Sequence, residues 1–227
     1  MSALARCRPA PTAPVPARTD LLDLRFRALI PEAQWACLPE AVRRRFSKRL
    51  PQGASAVYAG QVVSTRMNWA GWLLAQATRF IGAPLPLSRA VGMASVVSVT
   101  EDPQGGGQIW TRLYARPSGF PQMIHSAKRF AGPTGLEEHI GAGIGMRLSV
   151  GVEDGALVFR SRGYFVDVLG LRLTLPAWLS PGALSVTHAA MTDDAFRFIL
   201  DLRHPLLGLL IRQEAEFRDS VPGTPGR

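Results

Sequence analysis

The sequence predicts a mainly β protein, a β-rich α+β domain. It should form a curled antiparallel sheet or partly open barrel of about eight or nine strands, with two or three helices, one of them after the first strand. Three observations predict it. From Val91 onward, apolar residues recur at every second position rather than every third or fourth. Turns rich in Gly, Pro and Asp cut that run into short, evenly spaced segments. Helical periodicity is confined to two stretches before it.

Residues 1–20 hold Pro9, Pro11, Pro14 and Pro16 among Ala and Arg, which denies helix hydrogen bonds and leaves nothing to bury; a disordered arm is expected. A single β-rich domain is expected over residues 21–218, and a disordered tail over 219–227, "DSVPGTPGR". In "LPEAVRRRFSKRL" (38–50), Pro39 and Glu40 suit a first helical turn, and Val42, Phe46 and Leu50 form one apolar stripe. "YAGQVVSTRM" from Tyr58 reads as extended. "GWLLAQATRFIG" (71–82) returns to helical period, with Trp72, Leu73, Gln76, Ala77 and Phe80 on one side, and Pro84 and Pro86 end it. This helix could plug or cap the open side of the sheet.

The alternating run then begins. "VGMASVVSV" (91–99) places Val91, Met93, Val97 and Val99 together, and "GMRLSVGV" (145–152) turns Met146, Leu148, Val150 and Val152 inward. "EDG" (153–155) is a hairpin signal. "LLGLLIRQEAEF" at the end is ambiguous, since Leu206, Leu209, Leu210, Gln213 and Phe217 would also make a helical stripe.

The chain has 227 residues, 47% of them apolar, which suits one domain with a sizeable core. A net charge of +9 by itself suggests an anionic partner such as nucleic acid. However, only Lys48 and Lys128 are lysine and every other basic residue is arginine, amid abundant Ala, Gly and Pro; this looks like the codon bias of a GC-rich bacterial genome. No specific nucleic-acid binding is expected. Cys7 and Cys37 lack metal or redox spacing and read as free thiols in a reducing cytoplasm. The longest apolar candidate, "WAGWLLAQATRFIGAPLPL", is interrupted by Gln76, Arg79, Pro84 and Pro86, so no membrane span and no secretory signal are read; a soluble, cytoplasmic protein is expected.

Chemistry-bearing motifs are few. "GAGIGM" (141–146) leads into a strand rather than a helix, so it is a bend and not a dinucleotide fingerprint. In "LEEHIG", Glu137 and His139 share a strand face at about 7 Å; with His125 they could form a metal or acid–base site, or simply be rim residues. His188 shares an inward face with Leu184 and Val186, as a core histidine or as a base. No metal and no cofactor are expected.

The most informative strand is "QIWTRLY" (108–114). Ile109, Thr111 and Leu113 read as a core face, while Trp110, Arg112 and Tyr114 lie together on the other. Trp110 is costly to leave in water. Either the 71–82 helix covers this face while Arg112 reaches solvent, or the face lines a cavity with Arg112 as charged anchor.

The ordered set "LPEAVRRRF", "YAGQV", "PLP", "IWTRLY", "GLEEHIG", "RSRGYFVDVLGLRLTLPAWLSP" and "HPLLGLLIRQEAEF", spanning Leu38 to Phe217, resembles a bacterial family known as domain of unknown function 4166. The resemblance implies a β-rich module and no known reaction. It also implies a possible dehydrogenase-like partner, since such domains occur fused to one or alone. The leading expectation is a domain binding a small apolar or amphipathic ligand with an anionic or polar head group, through Trp110, Arg112, Tyr114, Glu137, Tyr164 and His188. The alternatives are an enzyme with an acid–base site near His188 and Arg112, and a non-catalytic docking module for a reductase-like partner.

Overall fold

A computed structural model describes residues 21–51 and 53–219, so the expected arm and the residues after Asp219 lie outside the described chain. The short strands β1 (Leu21–Leu22) and β2 (Lys48–Arg49) pair around α1 (Glu32–Ala36) and α2 (Glu40–Phe46). There follow β3 (Ser55–Met67), α3 (Trp69–Ala77), β4 (Ala94–Asp102), β5 (Gly107–Tyr114) and β6 (Gln122–Arg129). Then come β7 (Glu137–Gly141), β8 (Ile144–Glu153), β9 (Ala156–Val168) and β10 (Leu171–Thr174). The chain ends with β11 (Ala183–Ala190), β12 (Ala195–His204) and β13 (Gly208–Asp219).

Ten of these strands form a closed antiparallel barrel in the order β9-β11-β12-β13-β3-β4-β5-β6-β7-β8, sealed by pairing of β8 with β9. β10 folds back on β9 as an extra hairpin arm. The β-rich class is as expected; the barrel is closed rather than partly open and has slightly more strands. The ambiguous last segment is a strand, because β13 must pair with both β12 and β3 to close the ring. The "EDG" turn is a tight hairpin with Asp154 at φ 48° and Gly155 at φ 72°, the left-handed pair such a loop requires. The glycines of "GAGIGM" likewise serve a bend, the hairpin from β7 to β8.

The interior is mostly apolar, and the outer face of β12 and β13 is charged. Phe196, Phe198, Ala215 and Phe217 face inward, while Arg197, Arg212, Glu214 and Glu216 pair with one another on the outer surface. This is the reverse of a membrane-spanning barrel. No described helix is long and apolar enough to cross a membrane.

The two ends differ. At one end α1 and α2 plug the barrel with Phe26, Trp35, Val42 and Phe46, all buried. Phe26 meets Phe46 edge-on at 5.3 Å, and Phe46 stacks on Trp110 at 6.5 Å. At the other end α3 lies across the mouth. Asn68 caps it by accepting a hydrogen bond from the Gly71 amide at 2.7 Å. Gly71 lies so close to the Leu210 carbonyl that any Cβ there would overlap it, and this contact seats the helix on β13. Ala75 is buried against Leu202 and Ile211. The expected stripe is displaced: Gly71 and Ala75 are buried, while Trp72, Leu73 and Phe80 are exposed.

Candidate functional site

Between plug and mouth lies a cavity of about 430 Å³, within the usual range for small-molecule sites. Its walls are mostly apolar, including Val97, Ile124, Ile140, Met146, Leu184 and Phe198. Leu74, Thr78 and Ile81 close it from α3 and the turn after it. The inner face of β5 supplies Trp110, Arg112 and Tyr114, all three lining the cavity. Ile109, Thr111 and Leu113, expected as the core face, are instead the half-buried outer face. Alternation had paired the residues correctly, but only closure of the ring says which side is inside.

Arg112 does not stand alone. Across β6 its Nη2 donates to Ser126 Oγ at 2.8 Å, and the same nitrogen lies 3.2 Å from Glu138 Oε1 on β7. Lys128 Nζ lies 3.0 Å from that carboxylate oxygen and sits over the Trp110 ring at 4.7 Å from its centre. Trp110 Nε1 donates to Gln108 Oε1 at 3.3 Å. The strand register explains the assembly: Trp110 pairs with Ser126, Gln108 with Lys128, and Lys128 with Glu138.

Burial opposes the Glu138 carboxylate, but Lys128 and Arg112 outweigh it and hold the group ionised, down to about 2. Burial pushes the Lys128 ammonium below its ordinary value, and Glu138 works against that. Burial also raises the Tyr114 and Tyr164 hydroxyls, so both stay protonated donors. Tyr164 lines the cavity and donates to the Gly182 carbonyl at 3.0 Å.

Of the remaining candidates, only His125 touches the cavity lining. Glu137 points to the outer side, where Arg172 Nη1 donates to its two carboxylate oxygens at 2.8 and 3.0 Å. His139 shares that face as the spacing predicts, with Nε2 at 3.5 Å from Glu137 Oε2. The partner of this pair is Arg172 of β10, so the cluster pins the hairpin arm to the barrel. His125 is exposed and bonded to Thr111 at 3.0 Å. Among the described residues no group of three His, Cys, Asp or Glu is placed to hold a metal ion.

His188 does point inward, but toward the plug. It stacks on Phe196 at 4.5 Å between ring centres and lines a separate small cavity with Arg45, Phe46 and Tyr58. Burial, then Arg45, lowers its imidazole to about 3, and its Nδ1 has no hydrogen-bond partner. The structure therefore brings Trp110, Arg112, Tyr114 and Tyr164 to one cavity and leaves Glu137 and His188 outside it.

Sequence reasoning missed Ser126, Lys128 and Glu138. One signal was present: Ile124, Ser126 and Lys128 alternate on β6, and Lys128 is one of only two lysines in an arginine-rich chain. Glu138 carried no such signal, since only cross-strand register separates it from Glu137.

Residues 38–217 match the family described as "Domain of unknown function (DUF4166)". No curated protein and no solved structure matches the chain.

Proposed function

The chain belongs to that family, whose description assigns no reaction, and from this premise we propose that the barrel binds a small amphipathic ligand with an anionic head group. One observation carries the reading: Arg112 and Lys128 share a single carboxylate, Glu138, at the wall of a mostly apolar cavity. With Lys128 protonated, the cluster has an uncompensated positive charge, which is expensive away from water. A carboxylate or phosphate arriving there supplies the missing negative charge and favours the protonated ammonium. The Arg112 guanidinium offers a planar fork of donors, Trp110 and Tyr114 flank it, and the aliphatic part of the ligand lies against Leu74, Ile81 and Leu184.

The acid–base alternative has less support. His188 and Arg112 line different cavities. An imidazole held down to about 3 is a weak base at neutral pH.

The test is calorimetric titration with decanoate and with 1-decanol. The parent should bind decanoate at least about tenfold more tightly, the scale of one charge-assisted hydrogen bond. Arg112→Ala should erase that preference while leaving Lys128 and Glu138 paired and the melting temperature nearly unchanged. Arg112→Lys should restore it only in part. Equal affinity for acid and alcohol, or no binding of either, would sink the proposal.

A further inference from the structure

The loops at the mouth end carry large apolar side chains that nothing among the described residues covers. Phe80, Phe120, Leu169 and Leu206 are 94%, 92%, 99% and 88% exposed. They come from the turn after α3 and from three hairpins, β5–β6, β9–β10 and β12–β13, which strand direction places at the same end. The tryptophans divide the same way. Trp35 and Trp110 are buried, whereas Trp69, Trp72 and Trp178 are exposed and belong to α3 or to the connection from β10 to β11 at the mouth. Hairpins at the plug end are built instead from "EDPQGGG", "VEDGA" and "MTDD".

Charge follows the apolar side chains. The mouth segments 66–93, 115–121, 142–143, 167–182 and 203–207 contain Arg66, Arg79, Arg89, Arg116, Arg172 and Arg203. Arg172 is held by Asp167 and Glu137 and Arg203 by Asp201, which leaves Arg66, Arg79, Arg89 and Arg116 with no acidic partner among the described residues.

We infer that this rim docks the barrel, mouth first, onto the surface of an anionic lipid bilayer. The inference rests on the rim alone and not on the ligand reading. Single side chains protruding from separate loops give a protein partner no continuous face to match. A bilayer interface accepts each of them without shape complementarity. Exposed tryptophans suit the headgroup level, and arginines beside them meet lipid phosphates and the negative surface potential. The direction is consistent: α3 and its following turn put Leu74, Thr78 and Ile81 on the cavity and Trp72 and Phe80 on the outside, so the docked surface is the outer side of the element that closes the cavity.

The test is flotation of the full 227-residue chain with vesicles of phosphatidylcholine alone and with 30% phosphatidylglycerol, at low and physiological salt. Three proteins are compared: the parent, a Phe80→Ser/Phe120→Ser/Leu206→Ser variant, and an Arg79→Glu/Arg116→Glu variant. None of these five residues lines the cavity. The parent should partition to the anionic vesicles, and more weakly to neutral ones. The apolar variant should lose at least about tenfold in partitioning, and the charge variant at least about fivefold, with its loss confined to anionic vesicles. Both should titrate with decanoate like the parent, which separates a failure here from a failure of the ligand reading. Unchanged partitioning of the apolar variant, or equal binding of the parent to both vesicle types, would overturn the proposal. So would a parent dimer that the apolar variant converts to monomer without any vesicle binding, since the rim would then be covered by a second copy.

Discussion

The plug end and the mouth end of this barrel use the same residue types for opposite purposes. At the plug, Phe26, Trp35 and Phe46 are buried in one core, with Phe26 and Phe46 in ring contact, and tie α1 and α2 to the strands. At the mouth, Trp69, Phe80 and Trp178 are exposed. Aromatic content alone therefore says little about where the stability lies. The plug is where removing rings should cost folding free energy, and the mouth is where the same removal should cost binding.

The largest expected effect breaks the plug. Phe46 is buried and touches Phe26, Trp110, Phe159 and His188, so removing its ring loses four aromatic contacts at once. Phe46→Ala should lower stability by about 3–5 kcal/mol in urea unfolding, the scale for a large buried aromatic. Phe80→Ala at the mouth should stay within about 0.5 kcal/mol of the parent. Similar losses for the two would abolish the contrast.

Acid separates the plug from the cavity in a second way. His188 is held neutral, at about 3 against an ordinary 6.5, so its contribution is whole above about pH 6.5 and is lost as pH falls towards 3. Over that window the unfolded chain gains a proton that the folded chain refuses. Glu138 is held ionised, at about 2 against 4.5, so its contribution is whole above about pH 4.5 and is lost as pH falls towards 2. Stability measured against pH should thus slope in two overlapping steps. His188→Leu, close in volume, should flatten the upper step and leave the lower one. Glu138→Gln should flatten the lower step, at the cost of leaving Lys128 and Arg112 without their counter-charge. A parent whose stability is flat between pH 6 and 4 would refute the assignment at His188.

How legible was this in the sequence? Period-two spacing gave the β class and grouped Trp110 with Arg112 and Tyr114, because strand alternation is a local property of the backbone. It left open which face of β5 was interior, because that depends on closure between β8 and β9, a contact no single strand encodes. The α3 stripe was misassigned for a related reason. Trp72 and Phe80 are the most apolar-looking side chains of the segment, but Gly71 and Ala75 are the ones small enough to approach β13. Glu138 and Glu137 are neighbours with opposite fates, one facing Lys128 in the cavity and the other facing Arg172 outside. Register between β6 and β7 decides that, and composition cannot.

The smallest expected effect is the most diagnostic of what the mouth is for. The β9–β10 hairpin closes through the two-residue loop Leu169–Gly170, with Val168 paired to Leu171. Leu169 has φ 49° and Gly170 φ 81°. Both values are left-handed, the geometry that Asn-Gly adopts most readily in a tight hairpin, whereas a leucine is strained there. Leu169 recovers nothing by packing, since it is 99% exposed. Leu169→Asn should therefore stabilise the fold, by about 0.5–1 kcal/mol if relief of the strained φ dominates, raising the urea midpoint slightly. The change removes one of the protruding rim side chains, so partitioning to anionic vesicles should fall as stability rises. That opposition of sign marks a residue kept for contact rather than for folding, the reverse of Phe46. If Leu169→Asn instead destabilises, Leu169 packs in the folded protein, and the rim loses the position that best distinguishes it from the plug.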